Sequence, residues 1–356
     1  MGGAQMTDAA VSPFDFLERT ARSALAGWNR FWFTAVDPAT LGLVRIFGGA
    51  MLLYTHLVWT LDLAAFFGPN SWVSPYAARQ AYVGSAEMPG DLYGNVSFVW
   101  SVFYLADTME AVWAIHIVAL AVFALLTLGL FTRAAAILGW VLAVSYVHRT
   151  PGALFGLDQI NTMLAFALMI GPSGACYSLD SWLRRRKAAA QGTSLPACIP
   201  SVGANLAVRL VQLHMCVIYM YAGFGKLVGE AWWNGTGLWG AVANLEYQSL
   251  DATWLAWWPM LGAFMSHVTV YWEIYYPVLI WPRATRPWML LVAIPLHLGI
   301  AMFMGMITFG LAMLIGNLAF VRPETTRAVL GWLFRRSARP PATLAQPDHH
   351  RSLHVG

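Results

Sequence analysis

The sequence predicts an all-α membrane protein of about eight transmembrane helices, with an N-terminal amphipathic interfacial helix and short helices on the outer face. Three observations predict it. Apolar residues make up 58% of the chain and charged residues only 11%, whereas a soluble domain carries about 25% charged residues. Long apolar runs recur along the chain between short polar loops. Basic residues concentrate in alternate loops, the pattern that orients helices in a bilayer. Eighteen Trp and thirteen Tyr suit the same setting, because both rings favour the headgroup level. The net charge of +4 sits in those short loops, so it speaks for orientation and no nucleic-acid partner is expected.

Residues 1–13 read as a flexible N-terminus without the basic-then-apolar order of an export signal. Ser12-Pro13 starts a helix, with Ser as N-cap and Pro in the first helical position. Phe14, Leu17, Ala21, Leu25, Trp28 and Trp32 then recur at three- and four-residue spacing. That stripe fits a helix lying in the membrane surface, with Arg19, Arg22 and Arg30 among headgroups. A helix packed on the protein itself is the other reading.

The spans are expected near 39–61, 111–131, 134–148, 157–173, 204–225, 258–281, 288–304 and 307–321. Several are shorter than the ~20 residues that a perpendicular helix needs. With both termini in the cytoplasm, sixteen basic residues fall inside against three (Arg79, Arg149 and Lys226) outside or at outer helix ends. A multi-pass protein of a bacterial inner membrane is the expectation. The outer segment 62–110 holds Asp62, Glu87, Asp91, Asp107 and Glu110 and apolar stretches such as Val96-Ser97-Phe98-Val99-Trp100, which suggests short capping helices. The segment 174–203 carries Arg184-Arg185-Arg186-Lys187 and reads as a solvated inner linker, and 331–356 as a disordered cytoplasmic tail. No internal repeat points to an inverted-repeat transporter.

Charges inside a bilayer cost roughly 2.5–3.5 kcal/mol even on lenient scales, so each needs a reason. Glu273 lies about 12 Å from the inner end of its span, and Arg45 and Arg209 roughly 7–9 Å from theirs, at 1.5 Å per residue. A pair of Glu273 with Arg45 or Arg209 is therefore expected, with a proton or ion path as the sharper alternative. His116, His214, His267 and His297 stand singly on apolar helices, a pattern of interhelical hydrogen bonding rather than of metal binding. Cys176, Cys198 and Cys216 show no CxxC spacing, so neither a disulfide nor a zinc site is expected.

Two clusters face the outer side. Lys226 ends its span between aromatics, flanked by Gly223 and Gly225, which let a substrate approach the backbone. Trp232-Trp233-Asn234-Gly235 follows as a potential lid. A desolvated lysine has a lowered pKa and serves as a base; a snorkelling lysine beside a Trp belt is the plainer reading. Tyr221 is placed to orient a ligand. The second cluster is His148-Arg149-Thr150-Pro151 with Asp158-Gln159, where Asp158 sits at a helix N-terminus favourable to a carboxylate. It either lines the entrance of a shared cavity or holds only an Arg149–Asp158 pair that shapes the loop.

Tyr221-Ala222-Gly223-Phe224-Gly225-Lys226-Leu227 followed by Trp233-Asn234-Gly235 resembles the hallmark of the HTTM family, the membrane domain shared with the vitamin K-dependent γ-glutamyl carboxylases. Leu41–Gly48, Phe67-Gly68-Pro69, His148-Arg149-Thr150-Pro151 through Ser178-Leu179-Asp180, and His297-Leu298-Gly299 agree with it. The resemblance covers about residues 14–330. It implies that Lys226 is a general base acting on a reduced quinone, vitamin K hydroquinone or a menaquinol-like molecule. Tyr221, Gly223, Gly225, Trp233, His148, Arg149, Asp158 and Gln159 are the residues expected to surround that cofactor. At 157–159 this chain has Leu-Asp-Gln where the carboxylases have an Asn-His pair. The expected activity is a carboxylase-like, quinol-dependent membrane reaction. An exported peptide or protein is the expected partner beside the lipid bilayer. A non-catalytic maturation partner and a small-molecule transporter are the alternatives.

Overall fold

The computed structural model describes residues 12–83, 99–196 and 198–337, and it is all-helical, with 77% helix and no strand among them. Eleven longer helices organise it: α1 (Pro13–Phe33), α2 (Ala39–Trp59), α3 (Met109–Leu128), α4 (Thr132–Arg149), α5 (Gly156–Ile170), α6 (Leu179–Ala190), α7 (Val202–Val228), α8 (Pro259–Leu279), α9 (Arg286–Phe303), α10 (Ile307–Asn317) and α11 (Pro323–Ser337). α2 packs on α3 and α5, α4 on α5, α7 on α8 and α5, and α9 on α10.

Four helices are long and apolar enough to cross a membrane: Ala39–Phe67, which continues α2 through a 3-10 turn, then α3, α7 and α9. The expectation of eight is not matched by length and composition. α5 has 15 residues and α10 has 11, and at 1.5 Å per residue neither reaches the ~30 Å of a hydrocarbon core. Arg133 and Arg149 sit near the two ends of α4, and Ser266, His267, Thr269 and Glu273 interrupt α8. The bundle has an apolar core and an apolar exterior, with a few polar groups enclosed. Phe224, Leu291, Val278 and Ile117 face outward while Arg45, His116, Glu273, His297 and Asn317 are buried.

α1 starts as expected, with Ser12 Oγ accepting from Asp15 N. Phe14, Leu17, Leu25 and Trp28 are exposed. Only the end of α1 is tied down, where the Phe31 and Trp32 carbonyls accept from Asn205 and the Arg209 guanidinium stacks over Phe31. Short helices Leu63–Phe67 and Pro75–Val83 and two 3-10 turns form the segment after α2. Val96, Ser97, Phe98, Glu87 and Asp91 lie outside the described residues.

Three expectations are corrected here. The segment 174–203 is not a bare linker: it folds into α6, capped by Ser178, and Asp180 accepts from Phe131 N and from Thr132 N and Oγ1. Cys176 and Cys198 form a disulfide with Cα atoms 5.7 Å apart. Sequence spacing gave no sign of it, because the turn before α6 and the chain entering α7 meet only in the folded bundle. The region after 330 begins as helix, since α11 runs to Ser337; residues 338–356 lie outside the described residues.

Arg45 pairs with no acid. Its fully buried guanidinium donates to the carbonyls of Leu126 (3.1 Å), Thr127 (2.7 Å) and Tyr177. The first two are carbonyls at the C-terminal end of α3, where a cation satisfies orphan acceptors and the helix dipole together. Gly129 ends α3 in the left-handed region at φ 70°.

Candidate functional site

The site is built on the crossing of α7 and α8. A Cβ on Gly223 would lie 2.9 Å from Ile274 Cγ1 and 3.0 Å from the Ile274 backbone nitrogen, so only glycine lets the two helices meet this closely. Three residues further along α7, Lys226 then sits against Glu273. Its Nζ donates to both carboxylate oxygens, at 2.9 and 2.7 Å. The Lys226 side chain is 21% exposed and that of Glu273 8%. Trp232 covers the ammonium, with its ring centroid 5.2 Å from Nζ.

This overturns the expected partners of Glu273. Arg45 is committed to backbone carbonyls, and Arg209 donates to Phe31 O and Gln212. Depth matched them to Glu273, but depth carries no information about which helix faces which.

The roof over Lys226 comes from the segment that was read as a lid. Glu230–Trp233 is a short helix, and Gly235, at φ 82°, turns the chain against Ala263 of α8. Trp233 Nε1 donates to Leu227 O at 2.6 Å, and the Trp233 carbonyl contacts His267 Nε2 at 3.1 Å. Trp233 therefore braces the roof, and Trp232 makes the contact with the amine.

Two turns before Lys226 on α7, Tyr219 opens a polar network inside the bundle. Its hydroxyl is 2.7 Å from His297 Nε2 and accepts from Asn317 Nδ2 at 2.8 Å, while Tyr276 donates to Asn317 Oδ1 at 2.6 Å. With the Tyr219 proton directed at His297 Nε2, a neutral His297 carries its proton on Nδ1; in the other tautomer Nε2 donates to Tyr219, and in both the buried Nδ1 has no partner. The Trp272 indole N–H, beside Glu273 and packed against Tyr219 with ring centroids 4.8 Å apart, is also unpartnered.

The other predicted residues are distributed as follows. Tyr221 is 82% exposed and points out of the bundle, and Gly225 is exposed with nothing near a potential Cβ. Arg149 is fully buried but does not pair with Asp158. It donates to Val73 O (2.9 Å), Gly68 O (3.1 Å) and Ser71 Oγ (2.5 Å), pinning the turn that contains Phe67-Gly68-Pro69. His148 Nδ1 contacts Trp100 O at 2.9 Å. Asp158 lies at the N-terminus of α5 as expected, its Oδ2 accepting from Phe155 N at 3.0 Å, and Gln159 is exposed.

Asp158 lines a cavity of about 10 Å³ with His56, Tyr146 and Asn161, room for about one water molecule. Lys226 does not line it. Between the two clusters stands Phe309, pressed on Gly156 at the start of α5 and with its ring centroid 6.5 Å from that of His297. Both clusters occupy the same end of the bundle, but the structure does not join them in one cavity.

Among the described residues, the group of acid and thiol side chains within metal-ligating reach is Asp37, Cys176 and Cys198, whose ligand atoms lie within 4.8 Å of one another. Its sulfurs are joined to each other, and Asp37 is held by Arg327 at 2.7 and 2.8 Å.

Sequence reading missed Tyr219, Trp272 and Asn317 as members of the site, and it placed Trp232 in the lid without its contact to the amine. The legible signal was the seven-residue spacing from Tyr219 to Lys226 with Gly223 between, which puts all three on one helix face. No known protein family, curated protein or solved structure matches this chain.

Proposed function

We propose that this chain is an integral membrane enzyme in which Lys226 and Glu273 act together as a proton-accepting pair for an apolar, weakly acidic hydroxyl compound, a quinol being the best fit. The observation that carries the reading is the two-pronged Lys226–Glu273 contact beneath Trp232, half-withdrawn from water. An ion pair that is taken out of water loses hydration on both partners. Moving the proton from amine to carboxylate removes both charges at once. Lys226 with a neutral amine is then a base, and Glu273 holds the proton it gave up.

The donor set suits a ring that carries oxygen acceptors. Lys226 lies under Trp232, and the unpartnered Trp272 N–H and His297 Nδ1 belong to rings packed on Tyr219, giving polar groups in aromatic surroundings. A quinol held there supplies the acidic hydroxyl. With the Tyr219 proton directed at its Nε2, His297 offers its Nδ1 proton. Trp232 and the roof limit water at the amine.

This reading includes the finer architecture: eight helices crossing the bilayer, with short α5 and α10 completed by neighbours, both termini cytoplasmic, and a bacterial inner membrane as the host. The basic loops support that orientation. It follows the HTTM resemblance in giving Lys226 the basic role.

The test is mass spectrometry of quinones retained by purified protein, wild type beside Lys226→Met, followed by turnover of Lys226→Arg with added menaquinol. Retention lost in Lys226→Met and no turnover in Lys226→Arg are expected, because a guanidinium cannot give up its proton. A fully active Lys226→Arg protein overturns the base role. Absence of any quinone binding in the wild type, with menaquinol added, favours a maturation partner for an exported peptide instead.

A further inference from the structure

At the opposite end of the bundle from Lys226, a cleft of about 490 Å³ opens between the start of α4, the turn after α5 and the start of α7. This volume lies within the range of small-molecule sites, roughly 300–1,000 Å³. Small residues line much of it, among them Gly171, Ser173, Gly174 and Gly203. Two arginines from different helices stand over it. Arg133, the second residue of α4, donates to Met169 O and Ile170 O, and Arg184 of α6 donates to Gly174 O. Each guanidinium has five N–H donors in a fixed fork, so these carbonyl bonds leave donors for a further acceptor.

The one acid in the cleft does not compete for those donors. Asp180 has both oxygens occupied by Phe131 N and by Thr132 N and Oγ1. Burial by itself would raise its pKa, but those hydrogen bonds and Arg184 hold it below the usual carboxylate range. Two arginines against one ionised carboxylate leave the cleft with a net positive charge. The first turn of α7 adds to this, since Gly203 brings the positive end of a 27-residue helix to the same wall. Ile170 and Pro172 make the rest of the wall apolar, which suits an amphiphile more than a fully hydrated ion.

We infer that this cleft binds a phosphate group carried by an anionic phospholipid, with Arg133 and Arg184 clamping the phosphodiester. Planar guanidinium forks match phosphate oxygens two at a time. Basic pockets between helices at the cytoplasmic face are where anionic headgroups dock in membrane proteins. The site rests on the membrane-spanning reading but not on the chemistry at Lys226.

The experiment is native mass spectrometry of the full chain in detergent, titrated with phosphatidylglycerol or phosphatidylcholine. Wild type, Arg133→Gln/Arg184→Gln and Gly203→Val are compared. Gly203→Val keeps every charge and adds a branched side chain to the cleft wall, its Cβ 3.4 Å from Pro172 Cδ. Phosphatidylglycerol is expected to bind the wild type in preference to phosphatidylcholine. Its occupancy should fall about tenfold or more in the double arginine variant, which loses two charge-assisted contacts, and severalfold in Gly203→Val, which crowds the cleft. Lys226→Met should bind phosphatidylglycerol as the wild type does, which separates this site from the proposed base. Equal phosphatidylglycerol binding by wild type and both variants overturns the inference, and so does no preference over phosphatidylcholine. Inorganic phosphate that protects the wild type against thermal unfolding, where the lipid does not, would identify a soluble phosphate ligand and overturn the lipid assignment.

Discussion

Lys226 Nζ lies 2.7 and 2.9 Å from the two carboxylate oxygens of Glu273, joining α7 to α8 inside the bundle. Removing either partner strands the other in a place built for an ion pair. Glu273→Gln and Lys226→Met should each destabilise the protein by about 3 kcal/mol, the usual cost of breaking a buried pair. The Lys226→Met/Glu273→Leu double variant should lose at least about 1 kcal/mol less than the two single losses summed. Denaturant titration in detergent micelles measures all three, and strict additivity would show that the two side chains do not interact.

Gly129 should accept no side chain. Its φ of 70° is left-handed, and a Cβ there collides with the Arg45 guanidinium and with Ser178. Gly129→Ala is expected to cost more than about 1 kcal/mol of stability. Arg45→Lys should not restore a weakened Arg45→Met variant, because one ammonium cannot replace a fork that reaches Leu126, Thr127 and Tyr177 together. Thermal unfolding of the three proteins decides it. A neutral Gly129→Ala would mean that Arg45 takes another path.

Acid should loosen the junction between α2 and α11. Burial alone would raise the Asp37 pKa, but the hydrogen bonds from Arg327 and from Ala39 N and the Arg327 charge outweigh it, so the carboxyl sits below its ordinary value of 3.8. A folded pKa below the unfolded one means that the unfolded chain binds more protons as pH falls. The stabilisation is complete above the unfolded carboxyl pKa and is lost as pH falls through the folded one. Asp37→Asn should therefore lower the melting temperature near pH 7, and its gap from wild type should shrink steadily as pH falls below the ordinary carboxyl pKa. A gap that stays constant with pH would assign the loss to packing.

The cysteines give a direct chemical readout. Unreduced, denatured protein should titrate one thiol, that of Cys216, and reduced protein should titrate three. Cys176→Ser should cost about 3 kcal/mol of stability, as expected for a disulfide that closes a loop of a few tens of residues. Three thiols before reduction, with alkylation at the moment of lysis, would show that the pair is held open in the cell.

Local structure was legible from the chain because it is set by local chemistry. Ser12 caps the helix that follows it, Asp158 sits at a helix N-terminus, and long apolar runs become helices. The Gly223–Lys226 stretch was also legible as special, since two glycines and a lysine among aromatics break every rule for an ordinary apolar helix. The number of helices that meet a spanning length was not legible to that accuracy, because hydropathy marks where an apolar run lies and not where the helix stops. Partnerships were hidden altogether. Lys226 and Glu273 are 47 positions apart, Asn317 and Tyr219 are 98 apart, and Cys176 meets Cys198 across a separate helix. Composition and periodicity say how deep a side chain lies and which face of its helix it occupies. Which helix stands opposite is decided by packing, here by close approaches such as Gly223 on Ile274, and only the folded bundle contains that information.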